Sequence, residues 1–173
     1  TLWRFHIDTP LLIGLLLLMA LGLLIVYSAG GDDKMLRQAM RFGLGLTFLV
    51  AIAQMPPRTL RMWSPILYGI GVLLLVIVDV VGAVSKGGQR WLDIGIVRFQ
   101  PSELMKVAVP MMLAWYFTER PLPPRNRHLL VAVLIILVPT AVTALQPDLG
   151  TALLIAAAGF FVLWFAGLSW KLL

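Results

Sequence analysis

One stretch of this sequence concentrates charged and polar residues between two apolar blocks, and its residue types suit the binding of an anion. Pro101 fits the first turn of a helix, with Gln100 or Ser102 as its N-cap. Glu103 and Lys106 are three residues apart, so they share one face of that helix. A charge inside a bilayer costs on the order of 3 kcal/mol, so such groups usually face a polar cavity or a partner. The candidate binding residues are Lys86, Arg90, Arg98, Gln100, Glu103 and Lys106.

Two interpretations of this stretch stay open. In the first, Glu103 and Lys106 form an ion pair within their helix, close to the membrane interface. In the second, Lys106 and Arg98 line a polar cavity that opens at this membrane face, and they contact an anionic substrate there. The N–H groups at the start of the helix would favour the same anion.

A second polar signal is the sequence Gln146–Thr151, which joins two apolar blocks with almost no loop. Asp148 fits as the N-cap of the helix that follows. The same carboxylate would alternatively pair with a basic group of the neighbouring cavity or hold a divalent cation. Asp148 therefore joins the candidate substrate-binding residues. Asp79 is a third acid, which we predict to be buried near the same membrane face.

Other kinds of site find little support in the sequence. It contains no P-loop, no G-x-S-x-G and no H-E-x-x-H motif. The absence of cysteine excludes disulfides and thiolate metal sites. The two histidines, His6 and His128, are predicted to be interfacial polar residues. The net charge of +6 does not indicate nucleic-acid binding, because the basic residues lie singly in short loops beside apolar blocks.

The elements that position these residues are predicted to be membrane-spanning helices. Hydrophobic residues make up 60% of the chain and charged residues 13%, and the mean hydropathy is +0.94. Apolar blocks of about 20 residues can cross a bilayer, and none shows the alternation of a barrel strand. We therefore predict an all-α polytopic bundle that forms a single membrane domain over residues 1–173. Its six spans are predicted at about 10–31, 39–54, 66–85, 101–118, 129–145 and 149–167.

Proline and glycine residues predict the boundaries of these spans, and charged residues predict their orientation. Pro56-Pro57, Pro65 and Gly87-Gly88 are predicted to lie between spans. The loop 119–128 carries three arginines against one acid, which predicts that this loop and the N-terminus are cytoplasmic. The basic loop 85–100 then lies on the opposite side, where its charges need another explanation.

Four motifs taken together are distinctive: Gly82–Asp93, Phe99–Lys106, Gln146–Thr151 and Gln54–Arg58. They resemble those of the SEDS family (shape, elongation, division and sporulation), and among its branches most nearly the one of cell elongation. The resemblance covers essentially the whole chain. It implies a multi-pass protein of the bacterial inner membrane with about ten spans, of which this chain supplies about the first six.

The resemblance also implies an activity. Members are peptidoglycan glycosyltransferases that polymerise lipid II, release undecaprenyl pyrophosphate and work with a class B penicillin-binding protein. The family's proposed catalytic aspartate lies in a large periplasmic loop of the later half, so no catalytic residue is assigned here, and Asp148 is not that aspartate. The implied role of Lys86, Arg90, Arg98 and Lys106 is to stabilise the leaving pyrophosphate. That role would explain the basic loop 85–100.

Two alternatives to the enzyme remain. A transporter would use the same cavity to move a lipid-linked cell-wall precursor across the membrane. A membrane scaffold would instead dock and activate a penicillin-binding protein. No cofactor is evident from the sequence, although a divalent cation is compatible with its acids.

Overall fold

The computed structural model describes residues 7–81, 83–85, 88–93 and 98–168, with only the backbone described for residues 80–90, 93 and 98 within those ranges. The chain divides into two compact units, Thr1–Pro57 and Arg58–Leu173. Of the described helices, three are long and apolar enough to cross a membrane, and a shorter one is also apolar. The elements in chain order are α1 Thr9–Ala53, α2 Pro57–Val81, β1 Ala83–Ser85, β2 Gly88–Asp93, β3 Arg98–Phe99, α3 Pro101–Phe117, α4 Asn126–Leu145 and α5 Leu149–Phe165.

The first unit is a helical hairpin that a single glycine bends. Helix α1 is interrupted at Gly31, where φ is 72° and ψ is −172°, a conformation that glycine adopts without a Cβ clash. One groove is lined both by residues near the start of α1 and by Leu49 and Ala53 near its end, so the two ends of α1 lie side by side. Residues 32–38, between the first two predicted spans, are helical and lie on the far side of the Gly31 bend.

Helix α2 differs from the predicted third span at both ends. It begins at Pro57 and ends at Val81, so Ser85 lies in β1 and not in a helix. Pro65 lies inside α2, which overturns its assignment to a loop. Proline removes one backbone donor, and apolar membrane helices tolerate this where nearby side chains satisfy the freed groups. Pro110 in α3 and Pro139 in α4 are likewise internal.

A small antiparallel sheet connects α2 to α3. Its order is β1-β2-β3, with Val84 opposite Gln89 and Leu92 opposite Phe99. The sequence predicted only a basic loop here, because the strands contain two to six residues and give no extended alternation. Strand β3 leads directly into α3, and therefore fixes where that helix starts.

Helices α3, α4 and α5 form the core of the second unit, with α2 packed beside them. The Tyr68 hydroxyl on α2 donates to the Ile135 carbonyl on α4 at 3.0 Å, which fixes one point of that packing. Gly159 of α5 lies against Ile136 of α4, and a Cβ there would approach Ile136 Cγ1 to 2.5 Å. Gly167 ends α5 with φ of 91°, while the Leu168 amide donates to the Leu163 carbonyl, a Schellman cap.

Candidate functional site

The candidate site lies at one end of the second unit, which we call the strand end. It comprises the sheet, the start of α3 and the turn from α4 to α5, residues 146–148. Helices α2 and α4 run parallel, since Tyr68 reaches Ile135 and, further along both helices, Leu75 is contacted by Gln146. The end of α2, the start of α3 and the α4–α5 turn therefore lie at the same end. The two polar motifs of the sequence are brought together there.

The start of α3 is built around Gln100. It occupies the N-cap position in an extended conformation, and Pro101 follows at the first helical position. The Gln100 side chain makes no capping bond to its own helix. Its amide Nε2 instead donates to Asp148 Oδ2 at 2.8 Å. The predicted cap is therefore correct in position, but its side chain joins two helices rather than closing one.

Asp148 carries out two functions at once. Its Oδ1 accepts from the Thr151 backbone N–H at 3.2 Å. Asp148 is therefore the N-cap of α5, the first of the two roles predicted for it from the sequence. Its second oxygen accepts the Gln100 amide. Hydrogen bonds to a charged acceptor are about twice as strong as neutral ones. One half-buried carboxylate thus connects the starts of α3 and α5.

Gln146 ties the same turn to α2. Its side chain is 4% exposed, and Nε2 donates to the Leu75 carbonyl at 2.9 Å. A buried amide without a partner costs about 1–3 kcal/mol, so this bond fixes the position of the turn against α2. The sequence included Gln146 only as part of a motif. Its position beside a proline and before a capping acid indicates a turn, but no local pattern identifies Leu75 as its partner.

Glu103 and Lys106 form an ion pair with 2.7 Å between Oε2 and Nζ. This is the ion pair within one helix that the first interpretation of this stretch predicts. The Lys106 side chain is 30% exposed and that of Glu103 is 53% exposed, so the pair is open enough for a ligand to replace either partner. Glu103 lies in the first turn of α3, where the helix dipole favours an acid. Lys106 is thus a cation held in place at the strand end.

Two further polar residues at this end differ from expectation. Asp79, which we predict to be buried, is exposed in the last turns of α2. Ser102, a candidate cap, is 1% exposed, and its hydroxyl oxygen has no hydrogen-bond partner among the described residues. No local pattern predicts that this hydroxyl is buried, since the residues on both sides of it include charged ones.

The remaining candidate residues are only partly described. Lys86 lies outside the described residues, as does His6. Arg90 belongs to β2, and Arg98 begins β3 opposite Asp93, but their side chains lie outside the described part of the chain. Among the described residues, no group of three or more His, Cys, Asp or Glu could hold a metal ion. The divalent cation considered from the sequence stays a prediction.

Comparison with protein families and curated sequences shows what the chain is similar to. The family model described as cell cycle protein, covering FtsW, RodA and SpoVE, matches residues 8–173. Peptidoglycan glycosyltransferase MrdB of Escherichia coli K12 is 47% identical over 176 residues, which cover 100% of this chain and 48% of the relative. The probable peptidoglycan glycosyltransferase FtsW of Nitrosomonas europaea is 31% identical, over 96% of this chain and 47% of its own length. The chain thus spans about half the length of these relatives.

Solved structures give a similar result. The crystal structure of the rod-shape-determining protein RodA of Thermus thermophilus superposes with a TM-score of 0.86 at 33% identity. That comparison covers 95% of this chain and 55% of the other. A chain of a peptidoglycan synthase complex, described for its coordination of polymerization and crosslinking, matches with a TM-score of 0.88 and 33% identity over 96% of this chain and 49% of its own.

Proposed function

The chain belongs to the cell cycle protein family of FtsW, RodA and SpoVE, as its motifs predict, and from this premise we propose that the protein containing it is the peptidoglycan glycosyltransferase of cell elongation. It is a helical, multi-pass membrane protein. The observation that carries the proposal is the 47% identity, over the whole chain, to peptidoglycan glycosyltransferase MrdB. Since the chain spans 48% of that relative, activity, substrates and partners are proposed for the whole protein.

The proposed reaction joins two lipid II molecules. A sugar hydroxyl of one attacks the anomeric carbon of the other, a new glycosidic bond forms, and the bond to undecaprenyl pyrophosphate breaks. A base must take the hydroxyl proton, and positive charge must stabilise the leaving pyrophosphate. The base is proposed to lie outside this chain, in the later half of the protein. This chain is proposed to supply the positive charge at the strand end.

Lys106 is the described residue best suited to that role. Its ammonium is partly exposed, and its partner Glu103 holds it in one position on α3. A pyrophosphate oxygen that replaces Glu103 would gain a charge-assisted hydrogen bond to a cation already in place. The Gln100–Asp148 bond supports this by fixing the start of α3 against α5. Arg90 and Arg98 are proposed to add charge from the adjoining strands.

The same proposal includes the membrane, the orientation and the partner of the protein. The protein is proposed to lie in the bacterial inner membrane with its N-terminus in the cytoplasm. The strand end then faces the periplasm, where lipid-linked precursors are polymerised. Its proposed partner is a class B penicillin-binding protein, in line with the synthase complex that one structural neighbour belongs to.

The test is a lipid II assay on the full-length protein in liposomes with its penicillin-binding partner. Lys106→Ala and Glu103→Ala are compared with the natural protein, and Lys34→Ala, a lysine of the first unit, serves as control. Both glycan polymer and movement of lipid between leaflets are scored. We expect the Lys106 variant to lose polymer on the order of tenfold or more, because a positioned cation acts on the developing charge. The Lys34 variant should polymerise normally.

Two outcomes would replace this proposal. Lipid movement between leaflets without any polymer from the natural protein would identify a transporter of the precursor. If the partner itself made the polymer and every variant stimulated it equally, the protein would be a scaffold that activates its partner. Polymer that persists in the Lys106 variant would keep the enzyme and remove the role assigned to this lysine.

A further inference from the structure

The end of the second unit opposite the strand end carries a cluster of basic residues that the proposed polymerase reaction does not use. We call it the arginine end. Helix α2 starts here, α3 ends here and α4 starts here, because α2 and α4 run parallel. Glu119 is the acid of the connecting loop. The basic residues are Arg58 and Arg61 of α2, Arg120 after α3, and Arg125, Arg127 and His128 around the start of α4.

Arg120 is held in place by a buried aromatic residue. Its guanidinium carbon lies 3.7 Å from the centroid of the Tyr116 ring, and its Nη1 donates to the Tyr116 carbonyl. Tyr116 is 7% exposed, and its hydroxyl lies 3.3 Å from Nδ1 of His128. A stacked guanidinium loses less side-chain freedom when it binds an anion than a mobile one does. One tyrosine therefore positions both Arg120 and His128.

The positive charges at this end converge without a carboxylate partner. Arg120 stacks on the Tyr116 ring, whose hydroxyl meets His128, and Arg125 and Arg127 lie three residues and one residue before His128 at the start of α4. In the ranges that the structure describes, the ion pair is Glu103–Lys106 at the strand end, and none of these three arginines pairs with an acid. Like charges repel, so an anion bound among these arginines would offset their repulsion.

The neighbouring side chains identify the surface on which that anion lies. Trp63 is 54% exposed, Leu122 56% and Leu130 66%, and all three lie beside the basic residues in sequence. The ends of α2 and α4 found here belong to helices long and apolar enough to cross a bilayer. Exposed tryptophan and leucine next to arginine suit the boundary between headgroups and acyl chains, whereas the surface of an acidic protein partner would not need them.

We propose that the arginine end binds the phosphate group of an anionic phospholipid. Arg120, stacked on Tyr116, donates to the phosphate oxygens, and Arg125 and Arg127 add charge from the start of α4. Arginine suits this ligand because its planar fork of donors matches two phosphate oxygens at once. The exposed apolar side chains nearby contact the acyl chains of the same lipid.

The experiment uses the full-length protein in detergent, with retained lipids counted by native mass spectrometry after addition of phosphatidylglycerol or phosphatidylcholine. We expect phosphatidylglycerol to be retained in preference. Arg120→Gln should lower its apparent affinity about fivefold, and the double variant Arg125→Gln/Arg127→Gln by a similar or larger factor, since one basic residue near a membrane surface contributes about 1 kcal/mol. Arg37→Gln, an exposed arginine of the first unit, is the charge-matched control and should bind as the natural protein does.

The double variant guards against a folding defect, because the side chains of Arg125 and Arg127 are exposed and make no hydrogen bond to the described residues. Equal retention of the two lipids, or variants at the arginine end that bind phosphatidylglycerol like the Arg37 control, would overturn the proposal. Competition by millimolar inorganic phosphate, with no difference between lipids, would instead assign the site to a free phosphate. Polymerisation of lipid II is expected to persist in all these variants, so failure here is separable from failure of the proposed enzyme.

Discussion

The two ends of the second unit differ in how their polar side chains are partnered. At the strand end, three of the described polar bonds join two elements or pair opposite charges: Gln100 with Asp148, Gln146 with the Leu75 carbonyl, and Glu103 with Lys106. At the arginine end, Arg120 stacks on Tyr116, Arg125 and Arg127 lie nearby in sequence, and none of the three forms an ion pair among the described residues. The strand end is therefore preorganised by its own side chains, whereas the arginine end is completed by a ligand.

The largest effect on stability should come from Asp148→Ala, because this carboxylate both caps α5 and accepts the Gln100 amide. Loss of an N-cap costs about 1 kcal/mol, and loss of a charged hydrogen bond about 1.5–3 kcal/mol. We expect the free energy of unfolding to fall by roughly 2–3 kcal/mol, less than the sum because the site is half-buried. Denaturant unfolding of the purified full-length protein measures it.

Asp8→Ala is the matched control for that prediction. Asp8 caps α1 by accepting from the Leu11 amide at 3.0 Å, and its described hydrogen bond is local to its own helix. It should cost only the capping contribution of about 1 kcal/mol. A double-mutant cycle of Asp148→Ala with Gln100→Ala should give a coupling of about 1 kcal/mol. Additive effects of the two substitutions would show that the bond between the helices contributes nothing.

The distance in sequence between partners decides how much of this site was predictable. The Asp148 cap and the Glu103–Lys106 pair each join residues three apart, so helical geometry alone predicts them. The Gln100–Asp148 and Gln146–Leu75 bonds span 48 and 71 residues, and no local pattern selects the partner. The buried Ser102 hydroxyl is equally a consequence of packing.

The same distinction holds for the fold. Long apolar blocks indicate helices, because length and composition are summed over many residues. The sheet was missed because its strands are short and lie in a basic, glycine-containing stretch that resembles a loop. Pro65 was misplaced because proline breaks helices in water, whereas the membrane helix α2 continues through it.

The next effect in size should come from Gln146→Leu, which tests whether the buried amide bond orders the strand end. Removal of the Nε2 donor leaves the Leu75 carbonyl with its helical bonding only, at a cost of about 1–2 kcal/mol. Because this bond ties the turn at residues 146–148 to α2, hydrogen exchange at the Thr151 and Ala152 amides should also accelerate. Thr47→Val is the control, since its exposed hydroxyl donates to the Gly43 carbonyl within its own helix. If stability and hydrogen exchange changed equally in both variants, Gln146 would have no role in joining the turn to α2.

A smaller effect on stability, but a large one on activity, is expected at Glu103 and Lys106. An exposed ion pair three residues apart contributes about 0.5 kcal/mol or less, so Lys106→Gln should unfold almost like the natural protein. The exchanged pair Glu103→Lys/Lys106→Glu restores the attraction but moves the cation to the first turn. Polymerisation should remain low in the exchanged variant, because the position of the cation matters and not merely the pair. Recovery of normal polymerisation by the exchange would make the pair structural.

The smallest change in stability, and one of opposite sign, is expected for Arg125→Gln/Arg127→Gln at the arginine end. In detergent without anionic lipid the two substitutions remove two positive charges beside His128, so the free energy of unfolding should stay unchanged or rise slightly. Added phosphatidylglycerol should stabilise the natural protein and the Arg37→Gln control, because a ligand that binds only the folded state shifts unfolding by mass action. The double variant should lose most of that shift. If instead it were destabilised without lipid and still stabilised by phosphatidylglycerol, the arginines would be structural, and the two ends of the unit would be alike in supplying their own partners.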